Sequence, residues 1–202
     1  MRGLLPAATA VFLACALAAP ASADRADRDK PTQIDADKQF GDDLKQIVIY
    51  TGNVVLTRGT LRITGARLEF RQDPEGYQYA VVTAAPGQLA TFRQRRDSTR
   101  PGIEEHVEGV AERIEYDGKL ETVRFIRQAN WKRLENGEVR DELTGNIITY
   151  DGRNSTYQAD GGDPRKDPGS GRVRTIIAPR NETPPAKGEA APLAPARPQA
   201  KQ

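Results

Sequence analysis

The chain has 202 residues, 37% of them hydrophobic and 29% charged, with a mean hydropathy of −0.66. That composition predicts a soluble protein of one or two domains and argues against an integral membrane protein. With 30 basic and 28 acidic side chains the net charge is only +2, too small for a nucleic-acid partner.

The first element is a leader. Met1 and Arg2 precede an apolar stretch from Leu4 to Ala19, and Ala21-Ser22-Ala23 makes a small-residue cleavage site, so residues 1–23 read as a secretory signal peptide. The mature chain is expected to begin near Asp24. Leu13-Ala14-Cys15 is loosely similar to a lipidation box, but Phe12 stands where Leu is usual and the apolar stretch runs on past the cysteine. Cleavage removes the one cysteine, and with it any disulfide, thiol nucleophile or Cys-ligated metal. His106 is the only histidine, and Ser98, Ser155 and Ser170 stand in no nucleophile motif. A Ser-His-Asp triad is therefore not expected. The sequence predicts no catalytic residue, no metal and no cofactor.

Residues 24–30 are all charged except Ala26 and are expected to bury nothing. Residues 31–177 are long enough for one continuous core. Beyond them, 178–202 is rich in Pro and Ala with Leu193 as its one large apolar side chain; burial cannot offset the cost of ordering such a tail, so disorder is expected.

Within 31–177 the periodicity is that of strands. Thr60-Leu61-Arg62-Ile63-Thr64, Arg67-Leu68-Glu69-Phe70 and Arg113-Ile114-Glu115-Tyr116 alternate polar with apolar, and no window sustains a helical stripe. Turn signals recur at Thr51-Gly52-Asn53, Arg58-Gly59-Thr60, Asp73-Pro74-Glu75-Gly76, Asp117-Gly118, Asn136-Gly137 and Asp151-Gly152, where Asn-Gly and Asp-Gly supply the positive φ of tight hairpins. The prediction is an all-β fold of about 15 short antiparallel strands. A weak repeat refines it: Ile63-Thr-Gly65 leads to Phe70, Leu143-Thr-Gly145 leads to Tyr150, and Val107-Glu-Gly109 leads to Tyr116 with two extra residues. Glycine inside a strand marks a bend or bulge, so each copy is expected to turn a corner, folding the hairpins into two facing sheets.

The inward residues are expected to be Ile34, Ile49, Val54, Leu56, Leu61, Ile63, Leu68, Phe92, Ile114, Tyr116, Phe125, Trp131 and Tyr150. They make either a filled core or, if the sheets splay, an apolar groove for a lipid. The loop arginines Arg93, Arg95, Arg96 and Arg100 could attract the anionic phosphates and sugars of such a lipid, but Glu104, Glu105 and Glu108 follow at once, so a mixed, solvated loop is the favoured reading.

Pro31-Thr-Gln-Ile34-Asp-Ala-Asp37 and Tyr50-Thr-Gly-Asn-Val54-Val-Leu56-Thr-Arg-Gly59-Thr-Leu61-Arg-Ile63-Thr-Gly-Ala66 resemble the opening of the LptA/OstA-like family of periplasmic lipopolysaccharide transport proteins. The likeness continues through Ala90-Thr-Phe92, Val107-Glu-Gly109, Ile114-Glu-Tyr116 and Gly145-Asn-Ile-Ile-Thr-Tyr150. It departs at Thr32, where the family often has a larger apolar residue, and at 125–131. The resemblance implies an open, twisted antiparallel β-jellyroll in the periplasm. Its interior would hold lipopolysaccharide acyl chains, with contacts carried over to Thr32, Ile34, Phe92 and Tyr116. It also implies head-to-tail self-association into a bridge between an LptC-like inner-membrane partner and an LptD-like outer-membrane translocon. The docking edges expected here are the first strand, near 32–36 and including Ala36, and the last, 172–177, with Val173, Ile176 and Ile177.

The alternative from another class is a secreted carbohydrate-binding β-sandwich, which would want aromatic side chains on one exposed face. A hydrolase built on Asp35/Asp37 or Asp42/Asp43 ranks third.

Overall fold

The computed structural model describes Asp27 and residues 29–98, 100–163, 165 and 171–179. The expected signal peptide, and all of the expected tail except Ala178 and Pro179, lie outside the described residues. Among the described residues twelve strands follow one another: β1 (Thr32–Asp35), β2 (Lys38–Asp42), β3 (Ile47–Arg58), β4 (Leu61–Gln72), β5 (Gln78–Thr83), β6 (Ala90–Arg96), β7 (Glu105–Ala111), β8 (Arg113–Asp117), β9 (Thr122–Glu135), β10 (Glu138–Asp151), β11 (Thr156–Asp160) and β12 (Arg174–Ile177). Every pairing is antiparallel.

The expected fifteen or so short strands are instead twelve, because β3, β4, β9 and β10 run for 12 to 14 residues. Each of the four changes partners part-way. The later half of β4 pairs with β5 and its earlier half with β6. The start of β9 pairs with β8 and its end with β7. One layer thus reads β2-β3-β4-β5-β8-β9-β10-β11 and the other β1-β3-β4-β6-β7-β9-β10-β12. The two facing sheets of the sequence prediction are halves of one sheet, and the pairings β4-β5-β8-β9-β7-β6 close a ring in its middle.

The corners are bulges. Register slips between Thr51 and Val54 in β3, opposite Gly65 of β4, and between Gly145 and Ile147 in β10, opposite residues 126–129 of β9. Thr51-Gly52-Asn53, read from sequence as a turn, is therefore a bulge inside β3. Its positive φ values, 81° at Gly52 and 45° at Asn53, bend a strand and do not end it. At the matching corner of β9, Arg127 and Gln128 take φ of 60° and 50°. Glu112 holds both in place, accepting from Arg127 Nε at 2.6 Å and Gln128 Nε2 at 2.8 Å. Gly65 and Gly145 sit at corners as expected, but Gly109 does not. It lies in an unbroken run of β7 register, and the corner of that copy falls at Glu112, between β7 and β8. Gly109 is small for another reason: a Cβ there would lie 2.2 Å from Cε1 of Phe125 in the opposite layer.

Hairpin ends follow the turn chemistry. Asn136 and Gly137 take φ of 51° and 84° between β9 and β10. Asp73 Oδ1 accepts from the Glu75 and Tyr77 amides, and Asp117 Oδ1 from those of Lys119 and Leu120, local bonds that turns favour. The expectation that 24–30 buries nothing fails at Asp27, which is 3% exposed. Its carboxylate accepts from the Thr60 amide at 2.8 Å and the Thr60 hydroxyl at 2.6 Å, tying the leading segment to the β3–β4 turn.

Candidate functional site

Cross-strand partners share a face of a sheet, so the register sorts the inner surface into rows. In one layer Ile34, Leu56, Ile63, Phe92, Gly109, Trp131 and Leu143 stand side by side. The other layer answers with Tyr50, Leu68, Val82, Ile114, Phe125 and Ile148, and nearer the hairpin ends with Phe70, Ala80, Tyr116, Val123 and Tyr150. Apolar side chains thus line the inner face from one end of the sheet to the other. Contacts across the gap show that the layers face each other: the Phe92 and Phe125 rings meet edge to face at 5.6 Å, and Trp131 lies 6.0 Å from Tyr150.

All the residues expected to look inward do so, Thr32 included, with one exception. Ile49 pairs with Phe40 and Glu69 and so shares the outer face with Val81, Glu115 and Arg124. The corner at Gly52-Asn53 gives β3 one residue more than β4, three steps against two between the pairs Thr51–Arg67 and Val54–Gly65; Tyr50, four residues before Val54, shares its face and that of Leu56, and Ile49 does not. Sequence reasoning missed Tyr50, Phe70 and Val82. Alternation counted back from Leu56 through Val54 would have placed Tyr50 on the inner face.

The interior is filled along its middle. Ile63, Leu68, Val82, Ile114, Phe125 and Ile148 are completely buried and Phe92 is 2% exposed. Space remains at the first end, where Thr32, Ile34, Gln39, Tyr50, Phe70, Gln72 and Gln78 line a cavity of about 260 Å³. That is below the roughly 300–1,000 Å³ of ordinary ligand sites. A larger hollow of about 490 Å³ lies on the outer face, among Glu69, Arg71, Tyr79, Val81, Glu115, Leu120 and Arg124. Its charges are close to balanced, and of the interior rows only Ala80 and Tyr116 contribute to its lining.

The corners form a spine along one side of the two layers, and the hairpin ends form a mouth along the other. Polar side chains cross the mouth. Thr32 Oγ1 donates to Gln78 Oε1 at 2.5 Å, Arg58 Nη1 donates to the same oxygen at 3.3 Å, and Arg58 Nη2 donates to the Tyr116 hydroxyl. The Arg96 guanidinium lies 5.8 Å over the Tyr150 ring. Further along the same rim Arg100 bridges Glu105 and Glu135, which face each other across β7 and β9. Burial pushes the Glu135 carboxyl up, but the Arg100 hydrogen bond and the charges of Arg100, Arg133 and Arg140 outweigh it and hold Glu135 below its usual value. The expected arginine loop is instead largely the β6–β7 strand pair: Arg93, Arg95 and Arg96 lie in β6 and Glu105 and Glu108 in β7, and the charges mix across it, Arg93–Glu108 at 2.7 Å and Arg100–Glu105 at 3.4 Å. His106 has its pKa lowered by burial and by nearby Arg93, and so is neutral at pH 7.

Two ends of the sheet carry strands with one neighbour each among the described residues: β1 and β2 pair with β3, and β11 and β12 with β10. Val173, Ile176 and Ile177 at the last strand are 42%, 46% and 72% exposed. Ala36 packs against the core just after β1. No group of three or more His, Asp or Glu among the described residues is placed to hold a metal. The exposed aromatic platform that a carbohydrate-binding module would need is not formed by Trp131 and Tyr150, which are buried.

Residues 33–156 match the family model described as LptA/(LptD N-terminal domain) LPS transport protein. The chain belongs to this LPS transport family. Within the family, the lipopolysaccharide export system protein LptA of Haemophilus influenzae is 29% identical over 171 residues, 84% of this chain and 90% of that one. LptA of Escherichia coli K12 is 31% identical over 160 residues, 79% of this chain and 77% of that one. The crystal structure of LptH from Pseudomonas aeruginosa, described as the LptA homologous periplasmic component of the conserved lipopolysaccharide transport device, covers 76% of this chain and 99% of its own with a TM-score of 0.62 at 23% identity. That likeness confirms the all-β fold.

Proposed function

We propose that this member of the LPS transport family is a non-enzymatic periplasmic carrier of lipopolysaccharide. The observation that carries the reading is the inner face: apolar rows running unbroken from β1 to β10, in a chain whose relatives are named lipopolysaccharide export proteins. Exposing acyl chains to water costs about 0.8 kcal/mol per methylene, so one chain of a dozen carbons represents on the order of 10 kcal/mol. A carrier must enclose them continuously. In this reading the filled interior is the unloaded state, and the layers part at the mouth into an open jellyroll. Acyl chains then take the places now held by side-chain contacts between Phe92, Phe125, Tyr116 and their neighbours. The inner-face residues Thr32, Ile34, Val54, Leu56, Leu61, Ile63, Leu68, Phe92, Ile114, Tyr116, Phe125 and Tyr150 form the lipid path.

The half-paired ends supply continuity. Edge strands add to other edges; β1 of one copy beside β12 of the next, with Ala36 and Val173, Ile176 and Ile177 at the joint, would carry the trough from molecule to molecule. The first and last copies would meet an LptC-like and an LptD-like partner. The segments 1–23 and 178–202 complete the reading as a cleaved signal and a solubilising tail.

Photo-crosslinkable side chains at positions 92, 116 and 113 test it in the presence of lipopolysaccharide. Positions 92 and 116 should trap lipid, and position 113 should not: Arg113 faces outward, with its Nε 2.9 Å from Glu115. Equal trapping at all three, or none at 92 and 116, would refute the lipid path.

A further inference from the structure

Of the arginines in the strands, Arg93, Arg113, Arg124 and Arg127 each hold a carboxylate. Among the described residues Arg58 and Arg96 do not, and neither do Arg62, Arg71, Arg95 and Arg174; what sets Arg58 and Arg96 apart is the face they occupy. They project from inner-face positions at the mouth. The hydrogen-bond partners of Arg58 among the described residues are neutral, Gln78 and Tyr116, and Arg96 lies over the Tyr150 ring; its cross-strand partner Glu105 is bonded to Ser98 and Arg100 instead. Arg58 Nε is buried with no hydrogen-bond partner. A gap of about 20 Å³ separates the layers here, lined by Arg58, Gln94, Tyr116, Glu121 and Tyr150. The one carboxylate in it, Glu121, is held by Arg153 at 3.0 Å.

Holding a guanidinium away from bulk water against neutral acceptors alone is costly. A phosphate monoester would replace the Tyr116 hydroxyl and the Gln78 carbonyl by charged oxygens, and such bonds are roughly twice as strong as neutral ones. Arginine's fork is built for that exchange. The exchange would also have a mechanical effect. The bonds given up, Arg58 to Tyr116 and Arg58 to Gln78, join the two layers across the mouth.

We propose that Arg58 and Arg96 form a latch that an anionic headgroup opens: phosphate on a lipid draws the two guanidinium groups outward, unties Tyr116 and Gln78, and lets the acyl chains of the same molecule enter between the layers. Headgroup recognition and opening are then one event, because the anion binds the open mouth better than the closed one. This deepens the carrier reading and rests on it.

The experiment uses the mature protein and the double variant Arg58→Met/Arg96→Met. Amide hydrogen exchange without lipid is read first. Exchange at the 58–61 and 117–122 hairpin ends should be faster in the variant than in the parent, and equal rates would overturn the latch. Next, crosslinking from position 92 is compared between bisphosphorylated and dephosphorylated lipid A. The parent should favour the phosphorylated lipid by about tenfold or more, as expected for charged hydrogen bonds, and the variant should trap both to the same extent. A preference that survives in the variant would overturn the assignment of the headgroup to these arginines. Inorganic phosphate alone should leave exchange in the parent slow; if it opens the mouth as well as the lipid does, the lipid-borne trigger fails. A parent that traps neither lipid defeats the carrier reading itself, which the lipid-free exchange result distinguishes from a failure of the latch.

Discussion

Gly109 offers the sharpest test of how the two layers meet. Replacing it with alanine puts a Cβ 2.2 Å from Cε1 and 2.4 Å from Cζ of Phe125. Phe125 is fully buried and already wedged against the Phe92 ring at 5.6 Å, so it has little room to retreat. Overpacking of this kind costs about 1–3 kcal/mol. The gain from removing a strand glycine returns about 0.5–1 kcal/mol; because Phe125 cannot retreat, the overpacking cost is expected in the upper part of its range, about 2–3 kcal/mol, leaving a net loss of about 1–2 kcal/mol. At about 2–4 °C per kcal/mol for a chain of this size, the melting temperature should fall by roughly 2–8 °C, with a matching drop in the urea midpoint. Gly41→Ala is the internal control: a Cβ there meets nothing within 4 Å, so it carries the strand-glycine gain without a clash and should leave both readings unchanged or raise them by up to about 1 kcal/mol. Adding Phe125→Leu should relieve the clash, so that the double variant is more stable than the sum of the single changes by about 0.5–3 kcal/mol. If Gly109→Ala is as stable as the parent, the layers do not touch at this point and the filled interior described above is wrong.

Three further outcomes are expected. Glu135 has a folded-state pKa below its usual 4.5, so its contribution to stability is present above that value and is lost as pH falls through the folded one. Arg100→Met should lower the urea midpoint at pH 7 and flatten its decline below pH 4.5; an unchanged acid limb would refute the Arg100 bridge. Trp131 is 1% exposed, and its ring lies 4.7 Å from that of Tyr157 on the edge strand β11, so Tyr157→Ala should move its fluorescence to longer wavelength, while an unmoved spectrum would show that β11 does not cover it. Asp27→Ala, losing both bonds to Thr60, should cost about 2 kcal/mol in a denaturant titration; no loss would mean that the leading segment is not docked.

The strand class and most of the inner face were legible because alternation is a local property. Leu61 and Ile63, Leu68, Ile114 and Tyr116 all fall where their polar neighbours predict. What could not be read was whether a turn signal ends a strand. Gly52-Asn53 carries the signature of a hairpin turn, yet it lies inside β3, because whether such a pair ends a strand or bends it depends on the partner strand opposite. Gly109 illustrates the same limit, since its small size answers to Phe125, sixteen residues on in sequence but in the other layer. Ile49 is a different case: alternation carried straight through the corner from Leu56 already puts Tyr50 inside and Ile49 outside. Asp27 was missed because charge alone predicts exposure, and its burial depends on two donors of Thr60. Arg58 and Arg96, the residues of the proposed latch, look like ordinary surface arginines in sequence; only the register turns them inward.

The four strands that belong to both layers have a mechanical consequence. Since β3, β4, β9 and β10 each cross the spine, the molecule is hinged like a book whose pages are continuous with both covers. Spreading the covers must flex the backbone at 51–54, 65, 127–128 and 145–147 together. A gap forced at one end therefore transmits torque to the next hinge along. Opening at one end would lower the work of opening at the next hinge, so the corners are bound to move as a set, from whichever end the strain is applied.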